Sequence, residues 1–533
     1  MRTLKYNIHS LFNNQWLPAA IVLCIMLIAL EIIFIINKPW VGDYWEHKSV
    51  LTELSIHPFH PSHPIINAQL PHAFFSPYLV LQGFIAHYFS ISVTHILNCT
   101  VLINLLLFFA AVYLLVLLFL ESLPNKWKSF TLLLLFILFF SGIHPSSFSS
   151  FFHFDAFPFL LSYPSTLSFI CSIFSAYIFF LLINKKYSLL KKILLFISAL
   201  TILWAALLTH PITYLFAASL FLFVFLKKHL SHAVFNTKQF LFDGLTAASL
   251  ISLPFSLAAV WSYYPFYSLI TYVNPGNQFH SDSRELYSSL QYKLYPFVIF
   301  LLLLKKNLLK ILREELPLLL AVFFLVAFFV YGFFSESFGF GRVLSFITIY
   351  AYLFLIHRVL VNFSPVKQKL IFAAIFLFCA PFIFSSLKQK LTTVTTTHKE
   401  YITRTTYANK PMGQVEMAHR AEFLKNYLTQ GHIVLGNKGI NFFIPTTGAR
   451  VIASHYPAYW ITDNIDRLNN IQKFFSSTTL SEQKQILEKY NVDFIVLTPE
   501  TQNILPQIQG LTDSSFKVSQ NGITLLKVLK TLP

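Results

Sequence analysis

Asp43, Glu46 and His47 stand at positions i, i+3 and i+4 of the run Gly42-Asp43-Tyr44-Trp45-Glu46-His47. If Asp43 to Ser55 is helical, that spacing sets all three on one face. A carboxylate placed there can deprotonate a hydroxyl, and carboxylate oxygens with an imidazole can bind a divalent cation. The same acids equally suit the first turn of a solvated helix, where the macrodipole favours negative charge. The run alone does not choose between these readings.

Three further runs carry the residue types for chemistry. In Phe151-Phe152-His153-Phe154-Asp155 an imidazole and a carboxylate two apart can converge on one cation if the backbone is extended, the plain alternative being a structural His and Asp. Thr209-His210-Pro211 joins two apolar stretches; an ionisable residue at membrane depth is a functional candidate, here for a phosphate, while a helix break at Pro211 explains the same pattern. Glu336-Ser337-Phe338-Gly339-Phe340-Gly341-Arg342 opens another apolar stretch, and its guanidinium suits a lipid phosphate in bidentate fashion, against a reading as a snorkelling interfacial Arg. The His-Pro steps of His57-Pro58-Phe59-His60-Pro61-Ser62-His63-Pro64, followed by Pro71-His72, impose extended backbone, with structural roles expected for most of these imidazoles. His280-Ser281-Asp282-Ser283-Arg284-Glu285 reads as a polar flap or an ordinary solvated turn.

What must position these residues is a membrane bundle. The 533 residues are 55% hydrophobic and only 11% charged, far below the charge of an average soluble protein. A span criterion of about 20 residues gives about eleven candidate helices, near 18 to 37, 96 to 120, 129 to 146, 166 to 184, 193 to 209, 212 to 226, 241 to 261, 293 to 304, 316 to 334, 341 to 357 and 369 to 387. The first follows Arg2 and Lys5 with no A-x-A-like site after it, so it reads as an uncleaved span. With the N-terminus cytoplasmic, Lys126, Lys128, Lys185, Lys186, Lys227, Lys228, Lys305 and Lys306 fall inside, while the outer loops before residue 388 keep only Lys38, Lys48, Arg284, Lys293 and Arg342. The formal charge of +17 is thereby largely topological, and nucleic acid is not an expected partner. Cys24, Cys99, Cys171 and Cys379 lie in apolar runs as small hydrophobes, with no disulfide framework and no CxxC pair.

The domain expectations are a transmembrane region over 1–387 with a long first outer loop at 38–95, a Thr- and Lys-rich linker at 388–410, and a soluble α/β domain at 411–533. In the tail, His432 to Gly436, Val451 to Ser454 and Asp493 to Thr498 read as strands, and Asp463 to Phe475 and Leu480 to Tyr490 as helices. Phe516 to Gln520 and Ile523 to Leu529 flank Asn521-Gly522, a strong hairpin signal. An odd number of spans puts this tail on the outer side of the plasma (inner) membrane.

The acidic first loop, the second-loop His-x-Asp, the late outer Arg342 and the outer α/β tail together resemble the GT-C class of membrane glycosyltransferases, which includes oligosaccharyltransferases, protein O-mannosyltransferases and lipid A aminoarabinose transferases. The stretches Thr447-Gly448-Ala449-Arg450-Val451 and Lys489-Tyr490-Asn491-Val492-Asp493-Phe494-Ile495-Val496 are similar to the tails of bacterial members. The resemblance implies an enzyme that moves a sugar from a polyprenyl-phosphate donor to an acceptor hydroxyl of a lipid, glycan or protein at the outer leaflet. It implies Asp43 as base or metal ligand, Arg342 with His210 at the donor phosphate, and Glu46, His47, His153 and Asp155 around a divalent ion, Mg, Mn or Ca. The paired adjacent acids of many members are here split by Tyr44-Trp45, and no WWD-like motif supports peptide N-glycosylation. A lipid-linked-sugar flippase or a glycan-binding envelope scaffold are the alternatives. The flippase expects acids deep in spans and an inverted repeat, whereas Glu31 is the one acid clearly within a span and no repeat is visible.

Overall fold

The computed structural model describes residues 16–38, 40–140, 151–230, 236–271, 283–288, 290, 314–395, 400, 413–456, 460–476 and 479–529. The expected segment at 293–304, most of the linker at 388–410, and His144, His280 and Asp282 lie outside them. In chain order the main helices are α1 (Trp16–Asn37), α2 (Tyr44–Ile56), α3 (Pro77–Phe89), α4 (Val93–Phe119), α5 (Lys126–Phe139), α6 (Pro164–Asn184), α7 (Leu189–Thr209), α8 (Pro211–Leu230), α9 (Thr237–Ala258), α10 (Leu316–Phe334), α11 (Leu344–Asn362), α12 (Pro365–Thr395), α13 (Gln414–Ala421), α14 (Asn464–Ser476) and α15 (Leu480–Lys489). The strands are β1 (Ile433–Gly436), β2 (Arg450–Val451), β3 (Phe494–Leu497), β4 (Thr512–Gln520) and β5 (Ile523–Val528). Among the described residues eight helices are long and apolar enough to cross a membrane, or nine if the bent pair Pro365–Leu377 and Cys379–Ser385 is one span. The bend has a cause in Pro381, which lacks the N–H that would reach the Leu377 carbonyl.

Two compact units divide the chain. The first comprises Met1–Ile33, Thr100–Val260 and Gln278–Leu391. Lipid gives apolar helices no hydrophobic reason to associate, so shape and hydrogen bonding must hold them. Phe346 stacks on Phe216 at 4.7 Å and Phe216 on Phe169 at 5.4 Å, building an aromatic spine. Buried polar side chains find partners within it, such as Ser219 Oγ with the Tyr350 hydroxyl at 2.8 Å and Asn104 Nδ2 donating to the Leu161 carbonyl at 2.8 Å. The ends of α8 and α11 and the starts of α9 and α10 carry ion pairs: Asp243 with Lys228 at 2.6 Å, and Glu315 with Arg358 at 2.9 Å.

The second unit comprises Phe34–Cys99, Trp261–Asn277 and Thr392–Pro533, so the first loop clusters with the tail. Its sheet runs β2-β1-β3-β5-β4, with β1 parallel to β2 and β3, and β5 antiparallel to β3 and β4. Asn521 at φ 55° and Gly522 at φ 78° both take left-handed backbone, the conformation a two-residue type I′ hairpin turn demands. Helices α14 and α15 cover the sheet through Ile471, Phe474, Ile486 and Leu487, which bury against Leu435, Ile495 and Leu526. The first loop adds to the sheet edge, since Ile66 bridges Val451 in parallel and Val451 N–H donates to the Ile65 carbonyl at 2.8 Å.

Candidate functional site

The opening cluster is built on an aromatic anchor in the second unit. Gly42 turns the chain with φ 64°, a left-handed conformation that favours glycine, and its N–H donates to Gln414 Oε1 at 2.7 Å. Trp40 stacks on Tyr44 at 4.2 Å, and the Trp45 indole N–H donates to the Trp40 carbonyl at 3.2 Å. Burying Tyr44 and Trp45 fixes the start of α2 and sets Asp43 at its N-cap, half-buried and making no side-chain capping bond.

Glu46 and His47 turn inward instead, each only 2% exposed. Glu46 Oε1 lies 3.2 Å from His72 Nε2, and the His63 ring stands edge-on to His72 at 5.0 Å. His72 Nδ1 accepts from the Phe74 N–H at 3.2 Å, which leaves the ring proton on Nε2, the nitrogen facing Glu46. His63 Nδ1 accepts from the N–H groups of Ile65 and Ile66, each at 3.2 Å. Burial, then the Asp43 charge, holds the Glu46 carboxyl well above its usual range. Burial holds His72 down to about 3; His47 is likewise down to about 3, through burial and then His72. His63 is pushed well below its usual value by burial, then by His72, Arg450 and Arg467. Burial thus disfavours the charged form of each of these groups. The ring of His47 lies 4.8 Å from that of Phe74. Among the described residues no group of three or more His, Cys, Asp or Glu is placed to hold a metal ion. Glu46, one of the ligands expected for a divalent ion, faces His72.

The remaining expected residues, His153, Asp155, His210 and Arg342, lie in the first unit. His153 is buried, and its carbonyl accepts from Ala156 N–H at 3.0 Å and Phe157 N–H at 2.9 Å. The backbone therefore turns at His153, so the extended geometry that would let His153 and Asp155 converge on one cation is not the one present. Phe151 packs with Leu286 and Leu344, joining this segment to the turn that carries Arg342. That turn, Phe338–Val343, also packs on α8. Arg342 is buried, and Gly341 beside it allows close packing: a Cβ there would meet the Tyr287 ring at 2.9 Å and Leu286 Cβ at 3.0 Å. His210 caps α8, its Nδ1 accepting from Thr213 N–H at 3.2 Å and pairing with Thr213 Oγ1 at 2.7 Å. Burial and then the Arg342 guanidinium hold His210 down to about 3, so it stays a neutral imidazole.

Sequence reasoning passed over His63 and His72, reading them with the other loop histidines as structural, and did not pair Glu53 with Arg450. The available signal was the proline next to each imidazole in His63-Pro64 and Pro71-His72, which fixes backbone direction without revealing what the ring meets.

No protein-family model matches the chain, and no curated protein matches it in sequence. Among solved structures it is similar to ArnT from Cupriavidus metallidurans, at 12% identity over 95% of this chain and 98% of that one, with a TM-score of 0.50. It is also similar to the oligosaccharyltransferase of Archaeoglobus fulgidus, at 11% identity over 92% of this chain and 72% of that one, with a TM-score of 0.46. The oligosaccharyltransferase AglB of that organism, in complex with an inhibitory peptide and a dolichol-phosphate, gives 13% identity over 96% and 74%, with a TM-score of 0.44. The likeness to ArnT over nearly both whole chains is one of fold. The fold is that of the GT-C class, a multi-pass helical membrane protein with a small C-terminal α/β domain, as the sequence predicts.

Proposed function

We propose that the chain is a membrane glycosyltransferase that moves a sugar from a polyprenyl-phosphate donor to an acceptor hydroxyl at the outer leaflet, with its N-terminus cytoplasmic and its tail extracytoplasmic. The observation that carries this reading is the placement of Asp43. It stays half-exposed at the head of α2 while Glu46 and His47 are buried, on a chain with the GT-C fold. In this reading Asp43 takes the acceptor proton as the acceptor oxygen bonds to the anomeric carbon. The bond from that carbon to the phosphate oxygen breaks, and its electron pair leaves with the polyprenyl phosphate. Arg342 offsets the phosphate charge, and neutral His210, with Nδ1 occupied by Thr213, offers Nε2–H as a donor. The domain assignment of 1–387, 388–410 and 411–533 belongs to the same proposal.

The test is transfer of labelled sugar from polyprenyl-phosphate donors by membrane fractions. Asp43→Asn at normal expression should lower it by about 10²- to 10⁴-fold, whereas unchanged glycan output from that variant would sink the assignment.

A further inference from the structure

We propose that the second unit holds an oxyanion-binding pocket built on Lys48 that takes a phosphate group. A cavity of about 50 Å³ lies between the start of α2 and the turn after α13, and Lys38, Lys48, His419, Glu422 and Lys425 are the charged and imidazole side chains that line it, with the Tyr44 phenol in the same wall. Three lysines face one glutamate, an excess of two positive charges over the acid. Glu422 is engaged by the other two lysines, its Oε1 lying 3.8 Å from Lys38 and 3.1 Å from Lys425. Lys48 is only 7% exposed, and among the described residues its ammonium makes no hydrogen bond or ion pair. The Trp45 ring lies 5.8 Å from its ammonium. A largely buried lysine whose ammonium touches no carboxylate is costly. Burial, then Lys425 and Lys38, push Lys48 down to about 7, with Glu422 opposing them. An oxyanion in the cavity removes that penalty, because its oxygens give the ammonium the acceptors the protein withholds. The Trp45 and Phe443 rings, tilted together at 5.7 Å, form an apolar wall that lowers the local dielectric and strengthens the attraction.

Lys48 stands about 140° around the helix from Asp43, five residues at about 100° each. The pocket is thus separate from the base proposed above and does not depend on that role. A free phosphate and a lipid headgroup share this chemistry.

The experiment uses the full chain in phosphatidylcholine nanodiscs, followed by tryptophan fluorescence and melting temperature. One arm titrates inorganic phosphate; the other adds phosphatidylglycerol to the discs. A saturable response to either probe is expected, weakened at least about tenfold in Lys425→Gln, abolished in Lys48→Met and kept in Lys517→Gln, which alters an exposed lysine on β4. A response to phosphate assigns the pocket to a soluble anion, and one confined to phosphatidylglycerol assigns it to a lipid headgroup. Because Lys425 is partly exposed, its variant decides the matter even if Lys48→Met does not fold. No response of the wild type to either probe, or an undiminished response in Lys425→Gln, overturns the proposal.

Discussion

Arg450 closes on Glu53 across 397 residues of sequence, and the two form a buried ion pair within the second unit. Glu53 Oε1 also accepts from the Ser62 N–H and hydroxyl, both at 2.8 Å, while Arg450 Nη1 donates to the Gly448 carbonyl at 3.0 Å. The pair thus ties the end of α2 and the His-Pro segment to β2, where Ile66 extends the sheet. It is a clamp between the first loop and the tail.

Removing one partner of this clamp should be costly. Glu53→Ala or Arg450→Ala leaves an uncompensated buried charge, worth roughly 3 to 5 kcal/mol. Both variants should melt well below wild type and release the tail to limited proteolysis, while the double variant Glu53→Met with Arg450→Met recovers much of the loss.

The buried imidazoles set an acid dependence. His47 and His72 are held at about 3 and His63 well below its usual value, against 6.5 for a free histidine. Between pH 6.5 and about 3 the unfolded chain therefore binds more protons than the folded one. Their contribution is intact above pH 6.5 and is lost as pH falls toward 3. Glu46 acts in the opposite sense, its raised carboxyl favouring the folded state below pH 4.5 and losing that contribution as pH rises. His72→Phe should lower the acid-unfolding midpoint by about one pH unit, read by tryptophan fluorescence against pH.

Asp43 separates activity from stability. It stands half-exposed at the N-cap of α2 and makes no side-chain capping bond. Asp43→Asn should lower kcat by about 10²- to 10⁴-fold with the melting temperature unchanged, and a matching loss of stability would argue for a structural role.

At the donor phosphate, Arg342→Gln should cost about 2 to 4 kcal/mol of transition-state stabilisation, or about 30- to 1,000-fold in kcat/KM. Arg342→Lys should recover only part of this, because an ammonium cannot make the bidentate contact. Steady-state kinetics against the polyprenyl-phosphate donor check both.

Gly83 tests how closely α2 and α3 pack. A Cβ at this position would collide with Leu54 Cβ and crowd the Leu54 backbone at 3.3 Å. Gly83→Ala should destabilise the second unit by about 1 to 3 kcal/mol through overpacking, measured by thermal melting.

The sequence by itself determined the parts of this protein that depend on local pattern. Apolar runs of span length must become helices, since lipid offers the backbone no other partners, and the long stretches from Trp16 to Asn37 and from Leu316 to Phe334 announce this directly. Asn521-Gly522 specified its hairpin because both positions need left-handed backbone. The run Asp43 to Ser55 was legible as a possible helix, and Tyr44–Ile56 is one. The run could not say which side of that helix would be buried, and the tertiary structure turned Glu46 toward His72 while leaving Asp43 half-exposed. Likewise His153-x-Asp155 was legible as a motif, but whether its backbone would extend or turn depended on how Phe151 packs against Leu286 and Leu344. Glu53 with Arg450, and Lys48 with Lys38 and Lys425, lie hundreds of residues apart in sequence or face a shared cavity. No periodicity encodes such meetings, because burial and charge pairing are settled by which surfaces close on one another when the chain folds.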